Sequence, residues 1–250
     1  MNQHSNAPES QNAAVLYQVS LLQALSNGDY TGSVTAAELK QHGNMGIGTF
    51  DRLNGELIML DGQIYRAAGD GRVEVVSDEE TIPFSVITFM QTDISRRLTG
   101  IADFDSLHNQ LEQLVAARGI NRFYMIRIDG MFRSINLRSV YAQQPPYRRL
   151  VEVLEHDQTF FNYEHIDGTM VGLYCPPYMS YLNAVGWHFH FISKDKTKGG
   201  HVLGVQLDEA VLCWDDIDGF QLQLPQSKLF SGFDLTVDQS AELEKIEKNT

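Results

Sequence analysis

The chain has 250 residues, room for one large domain or two small ones sharing a core. Hydrophobic residues make up 43% and charged residues 20%, but 19 Lys+Arg against 32 Asp+Glu leave a formal net charge of −13. So acidic a surface repels phosphate backbones and anionic lipid, which argues against nucleic-acid or membrane-surface binding.

No apolar run approaches the roughly 20 residues that span a bilayer. Met1 to Ala13 lack the basic-then-apolar pattern of a signal peptide, so a disordered tail and a cytoplasmic protein are expected. Residues 14–250 are expected to form a single unit, with room for two subdomains meeting near 120–140. In chain order, the first expected helix is Ala14 to Leu25, where Val15, Leu16, Val19, Leu22 and Leu25 form one apolar stripe ahead of Asn27-Gly28. A second, short helix starts at Thr35, with Glu38 completing a capping box. Thr49 to Ala67 reads as a three-stranded meander turning at Asn54-Gly55 and Asp61-Gly62. A third helix covers about Ser106 to Arg118, with Leu107, Leu111 and Leu114 inward and Gly119 as its stop. Phe123 to Arg138 reads as a hairpin around Asp129-Gly130. A fourth helix follows Pro145-Pro146 through Leu150, Val153 and Leu154. Gln158 to Phe220 reads as a series of antiparallel strands, with Asp167-Gly168 as one turn, and a last helix occupies roughly Asp238 to Lys248. The sum is an α+β protein with a large mixed, mostly antiparallel sheet system and flanking helices. Cys175 and Cys213 could form one disulfide at most and are expected to be reduced thiols.

The chemistry concentrates in Gly186-Trp187-His188-Phe189-His190-Phe191-Ile192, followed by a polar turn and then His201. On a strand, His188 and His190 project to one face. If the turn closes a hairpin that pairs Phe191 with Gly200, His190 lies opposite His201 and three imidazoles converge, the geometry of a three-His metal site. A lone histidine on a strand is more often a hydrogen-bonded core or surface residue, and a His-x-His pair is commonly incidental. Three joined by a hairpin register are harder to dismiss. Neutral imidazoles suit zinc best, with iron, nickel, manganese and copper compatible by ligand type. Lys194, Lys196 and Lys198 in the turn read as a solvated loop, or as a lure for anions.

Two other stretches carry weaker signals. Gly46-Ile47-Gly48 precedes a strand rather than a helix, so no helix N-terminus is available for a phosphate. Glu56, just after a tight turn, reads on its own as an exposed strand-start residue. Arg138 reads as a partner for a surface acid or as a bidentate ligand for a substrate carboxylate. Asp78 to Glu80 is a solvated turn, and His4, His42, His108, His156 and His165 have no partner by spacing.

Several stretches in order resemble the α-acetolactate decarboxylases of bacterial acetoin and butanediol metabolism. They are Leu16-Tyr17-Gln18 with Ser20-Leu21 and Ala24-Leu25; Gly46-Ile47-Gly48-Thr49-Phe50 with Leu53-Asn54-Gly55-Glu56-Leu57; and Arg127-Ile128-Asp129-Gly130 with Phe132-Arg133. Arg138-Ser139-Val140 with Gln143 and Pro145-Pro146-Tyr147, and the His-x-His stretch with Gly199-Gly200-His201, complete the set. Tyr141 departs from the pattern, where a proline is expected. The resemblance implies a Zn²⁺ site of His188, His190 and His201, with Thr49, Glu56 and Arg138 lining the substrate pocket. It also implies a second glutamate near the C-terminus, which falls on Glu247, with Glu242 and Glu244 as competitors. The implied reaction takes (S)-2-acetolactate to (R)-acetoin and CO₂ through a zinc-stabilised enediolate, Glu56 or Glu247 supplying the proton and no organic cofactor being needed. A homodimer is the expected state for a soluble enzyme of this type. Two other classes fit the histidines: a cupin-like metal oxygenase or isomerase, and a non-catalytic metal-dependent binding module.

Overall fold

The computed structural model of the chain describes residues 14–91, 94–237, 239 and 242. The tail 1–13, nearly all of the expected helix from Asp238 to Lys248, and with it Glu247, lie outside the described residues. The first half contains β1 (Val15–Val19), α1 (Leu22–Ser26), β2 (Val34–Thr35), α2 (Ala36–Leu39) and β3 (Met45–Thr49). It continues with β4 (Glu56–Leu60), β5 (Gln63–Ala67), β6 (Val73–Val75), β7 (Thr81–Ile82) and β8 (Phe84–Thr88). The second half contains β9 (Ile94–Ile101), α3 (Phe104–Arg118), β10 (Phe123–Val140), α4 (Leu150–His156) and β11 (Gln158–Cys175). It ends with β12 (Gly186–Ser193), β13 (Gly199–Ile217) and β14 (Gly219–Gln223). Among the described residues no helix is long and apolar enough to cross a membrane.

Two large sheets form the expected α+β architecture. One has the strand order β14-β1-β8-β3-β4-β5-β6, with β1 and β14 parallel and the other neighbours antiparallel. The other is a fully antiparallel system in which β10 pairs with both β11 and β13, while β12 bridges β11 and β13 and so closes the ring. One apolar cluster joins the sheets, with Leu16, Ile47, Ile58 and Phe84 from the first meeting Met125, Val140, Val171 and Ile192 from the second. A second cluster fills the ring system and packs it against Leu107 and Leu111 of α3.

Three expectations need correction. The stripe from Ala14 to Leu25 is not one helix: Val15 to Val19 form a strand, Ser20 turns the chain with φ 65°, and only Leu22 to Ser26 are helical. A strand covered on both faces shows no alternation, and Leu16, Gln18 and Val19 are all fully buried, so its pattern mimics a helix. Asp129-Gly130 and Asp167-Gly168 are not turns either. Both lie inside uninterrupted 18-residue strands, and Gly130 pairs with Gly168. Their glycines answer to close packing, for a Cβ on Gly168 would sit 2.3 Å from the Phe191 ring and one on Gly130 2.9 Å from Ala210 Cβ. The meander's first strand is β3, which runs up to Thr49 rather than starting there.

Other expectations hold. Asp61-Gly62 is a two-residue hairpin with both residues at positive φ, 52° and 79°. Thr35 and Glu38 close the capping box, α3 ends at Gly119, and α4 carries Leu150, Val153 and Leu154 inward. Cys175 and Cys213 are free thiols.

The two kinds of glycine respond differently to a methyl group. Gly168→Ala drives a methyl into the buried Phe191 ring and toward the Ile192 carbonyl, and is expected to cost about 1–3 kcal/mol. Gly62→Ala meets open space and costs only its backbone strain, about 1 kcal/mol. Denaturant titration of both variants checks the order, and a larger loss at Gly62 rejects the packing explanation.

Candidate metal centre and active site

Strand alternation sorts the side chains of β12. Phe189 and Phe191 enter the cluster inside the ring system, while His188, His190 and Ile192 face the other sheet. The hairpin register is the one expected, with Phe191 opposite Gly200 and His190 opposite His201. On the far side of β13, His201 stands opposite Arg138 of β10, so one ladder carries a histidine, a histidine and an arginine. Thr49 and Glu56 come from the other sheet as cross-strand partners on β3 and β4.

The imidazoles converge. His188 Nε2 lies 3.2 Å from His190 Nε2 and 3.0 Å from His201 Nδ1. His190 Nδ1 lies 2.8 Å from the Leu57 carbonyl oxygen, which only accepts, so Nδ1 carries the proton and the Nε2 lone pair points at its neighbours. A single proton on His188 Nε2 cannot serve both adjoining nitrogens. Three ring nitrogens this close together could hold one metal ion between them. The Leu57 carbonyl also fixes the orientation of the His190 ring.

Electrostatics keep His188 and His190 uncharged. Burial, with the Arg138 guanidinium adding to it, pushes the His188 imidazole down to about 3. Burial and then the neighbouring His188 hold His190 well below the ordinary range, against the Leu57 contact that favours its charged form. Glu56 Oε2 lies 3.5 Å from His190 Nε2, with its side chain 12% exposed, so it is not the exposed residue its position alone suggested. Arg138 is 3% exposed, which removes the reading of a surface ion pair. Thr49 Oγ1 donates to the Gly55 carbonyl at 2.8 Å and ties the turn that leads into Glu56.

These six residues share one cavity of about 50 Å³. Its other wall is apolar, formed chiefly by Leu22 and Leu25 of α1 and Leu150 and Leu154 of α4. Sequence reasoning placed these leucines in a core but not at the site; their stripes were visible, yet nothing local says which core faces a cavity. Tyr141 is half exposed and does not line the pocket. Glu247 lies outside the described residues, and Glu242 sits elsewhere, on Ser26 and Arg149.

A depressed histidine pKa has a definite consequence for stability. The unfolded chain takes up protons on these imidazoles below about pH 6.5 while the folded chain does not. Stability of the metal-free protein is therefore full above about 6.5 and falls as the pH drops toward about 3, by on the order of 1.4 kcal/mol per pH unit for each group. Urea midpoints at successive pH values check this, and His188→Gln with His190→Gln is expected to flatten the slope.

Comparison with known proteins agrees with this geometry. A family profile described as alpha-acetolactate decarboxylase matches residues 16–237. The alpha-acetolactate decarboxylase of Methanosarcina mazei is 38% identical over 240 residues, 96% of this chain and 82% of its own length. That of Raoultella terrigena is 37% identical over 225 residues, 90% of this chain and 86% of its own. The crystal structure of the enzyme from Bacillus subtilis strain 168 superposes with a TM-score of 0.89 at 31% identity, covering 94% of this chain and 99% of that one. With a profile match over most of its length and relatives of this closeness, the chain belongs to the alpha-acetolactate decarboxylase family.

Proposed function

We propose that the chain is a zinc-dependent carboxy-lyase that converts (S)-2-acetolactate to (R)-acetoin and carbon dioxide, the acetoin-forming step on the way to 2,3-butanediol. The observation that carries this reading is the meeting of three imidazoles with Arg138, Glu56 and Thr49 in one pocket of a chain from this family. His188, His190 and His201 would hold the ion, which when bound supplies a Lewis acid for the substrate's hydroxyl and ketone oxygens.

The protein's own residues do the rest. Arg138 binds the substrate carboxylate and steadies negative charge as it moves onto oxygen. Loss of carbon dioxide breaks a carbon–carbon bond and leaves its electron pair on the substrate as an enediolate. Glu56 returns a proton to that carbon from one side and is reprotonated by solvent, with Glu247 as the second glutamate of the site. Delivery from one side sets the hand of the product. Thr49 lines the pocket and holds the turn before Glu56 in place. The leucine wall takes the methyl groups and excludes water.

Metal-loaded protein is expected to release acetoin and carbon dioxide from racemic acetolactate, to lose that activity to a chelator and to regain it with Zn²⁺. Unchanged activity after replacement of all three histidines rejects the metal mechanism. Oxygen consumption with bound iron and no acetoin favours the oxygenase reading, and tight metal with no turnover favours the binding module. Arg138→Ala is expected to lower kcat/KM by about 10²–10³-fold. Arg72→Ala, at a fully solvated pair with Asp70, is expected to leave it unchanged, and equal effects reject the role of Arg138.

A further inference from the structure

Glu56 stands where the two sheets meet, opposite Ala67 as its cross-strand partner on β5. Hydrogen bonds hold the backbone around this pair. Thr49 Oγ1 donates to the Gly55 carbonyl at 2.8 Å, from within the same sheet. Two others reach across from the ring system. His190 Nδ1 donates to the Leu57 carbonyl at 2.8 Å, and Ser139 Oγ donates to the Ala67 carbonyl at 2.7 Å. Ser139 and Ala67 are buried, and the backbones beside them leave little slack. A Cβ on Gly69 would lie 2.8 Å from the Val140 carbonyl oxygen, and one on Gly199 would lie 3.2 Å from Ala67 Cβ. Small residues let the sheets approach here, and the Ser139 hydroxyl ties them. Ser139 directly follows Arg138 on β10, so one residue separates the tie from the guanidinium that lines the cavity.

We propose that Ser139 is a positioning residue, whose bond to the Ala67 carbonyl sets Glu56 on one sheet against Arg138 on the other; this rests on the decarboxylase reading above. Ser139 does not line the cavity, so it acts through its neighbours rather than on the substrate. Arg138 belongs to the ring system and Glu56 to the other sheet, so the hydrogen bonds within either sheet leave their mutual distance open. The His190 contact anchors the residue after Glu56 on β4. The Ser139 contact anchors the residue opposite Glu56 on β5. Two anchors on adjacent strands suppress the pivoting that one alone would allow. A serine hydroxyl is short and its strand is fixed by pairing on both sides, so the tie is stiff. Without it, β4 and β5 shift relative to Arg138, and a small misplacement of a proton donor is enough to slow transfer. The loss falls on turnover more than on substrate binding, because the proton moves after the carboxylate is seated.

The test uses the full-length zinc-loaded protein with Ser139→Ala, Ser139→Thr, Glu56→Gln and the double variant Ser139→Ala/Glu56→Gln. Ser139→Ala is expected to lose about tenfold in kcat with KM within about threefold of the parent, and to release acetoin of lower enantiomeric purity. Its zinc content is expected to match the parent, and its thermal midpoint to fall by about 2–4 °C for one lost buried hydrogen bond. Ser139→Thr keeps the hydroxyl and is expected to recover most of the loss. In the Glu56→Gln background, Ser139→Ala is expected to cost less than about twofold of the residual activity, because the group it positions is already gone. Unchanged kcat in Ser139→Ala, a full tenfold loss that persists in the Glu56→Gln background, or a loss that merely follows loss of zinc or of folding overturns the proposal. If the added methyl of Ser139→Thr lowers the thermal midpoint further than Ser139→Ala does, the Glu56→Gln background decides. A parent that releases no carbon dioxide from acetolactate refutes the decarboxylase reading instead. Amide hydrogen exchange then decides the tie alone: faster exchange across residues 56–67 in Ser139→Ala than in the parent supports it, and equal exchange overturns it.

Discussion

His201 stands between two partners, His190 on one side and Arg138 on the other, and the whole site follows from that ladder. Side chains on a strand alternate, so a slip of one residue between β12 and β13 would turn the imidazoles into the apolar interior of the ring system and bring phenylalanines to the cavity. The register is held by packing. Gly168 and Gly172 leave room for the rings of Phe191 and Phe189, and Gly200, at φ 154°, approaches the Arg138 carbonyl so closely that a Cβ would lie 2.6 Å from it. Aromatic bulk on one face of β12 thus locks the histidines on the other.

The second constraint is charge. The chain carries a net charge of −13, yet its pocket is suited to an anion. The acid residues that form ion pairs at the surface, such as Asp70, Asp78 and Asp208, are far more exposed than the groups facing the cavity. Inside, burial keeps His188 and His190 neutral, and Arg138 is enclosed beside them. A divalent ion there would make the interior locally positive within an acidic shell. Net charge describes what the surface repels and says little about what a cavity lined by other residues accepts.

Legibility differed from element to element for physical reasons. The capping box at Thr35, the stop at Gly119 and the Asp61-Gly62 turn were readable because each depends on a few adjacent residues and water. The β1 strand was not, because two covered faces erase the alternation that marks a strand. Asp129-Gly130 and Asp167-Gly168 carry the composition of turns, but their glycines serve neighbours distant in sequence, Ala210 and Phe191. At the site, the three histidines were found from spacing plus a guessed register. Glu56 and Arg138 looked like ordinary surface residues until a family resemblance singled them out.

The sequence by itself determined the chemical inventory: the paired histidines on one strand face, the third histidine after a closable turn, the acidic surface and the family. Those properties sit in short stretches, where backbone geometry alone relates one residue to the next. Tertiary structure decided the rest. It set Thr49 against Glu56, brought that pair from one sheet to the imidazoles of the other, and faced them with leucines from α1 and α4. It also joined Ser26 to Glu242 across most of the chain. Such contacts arise from burying two sheets and two short helices around one cavity, and no local pattern encodes which buried faces will meet.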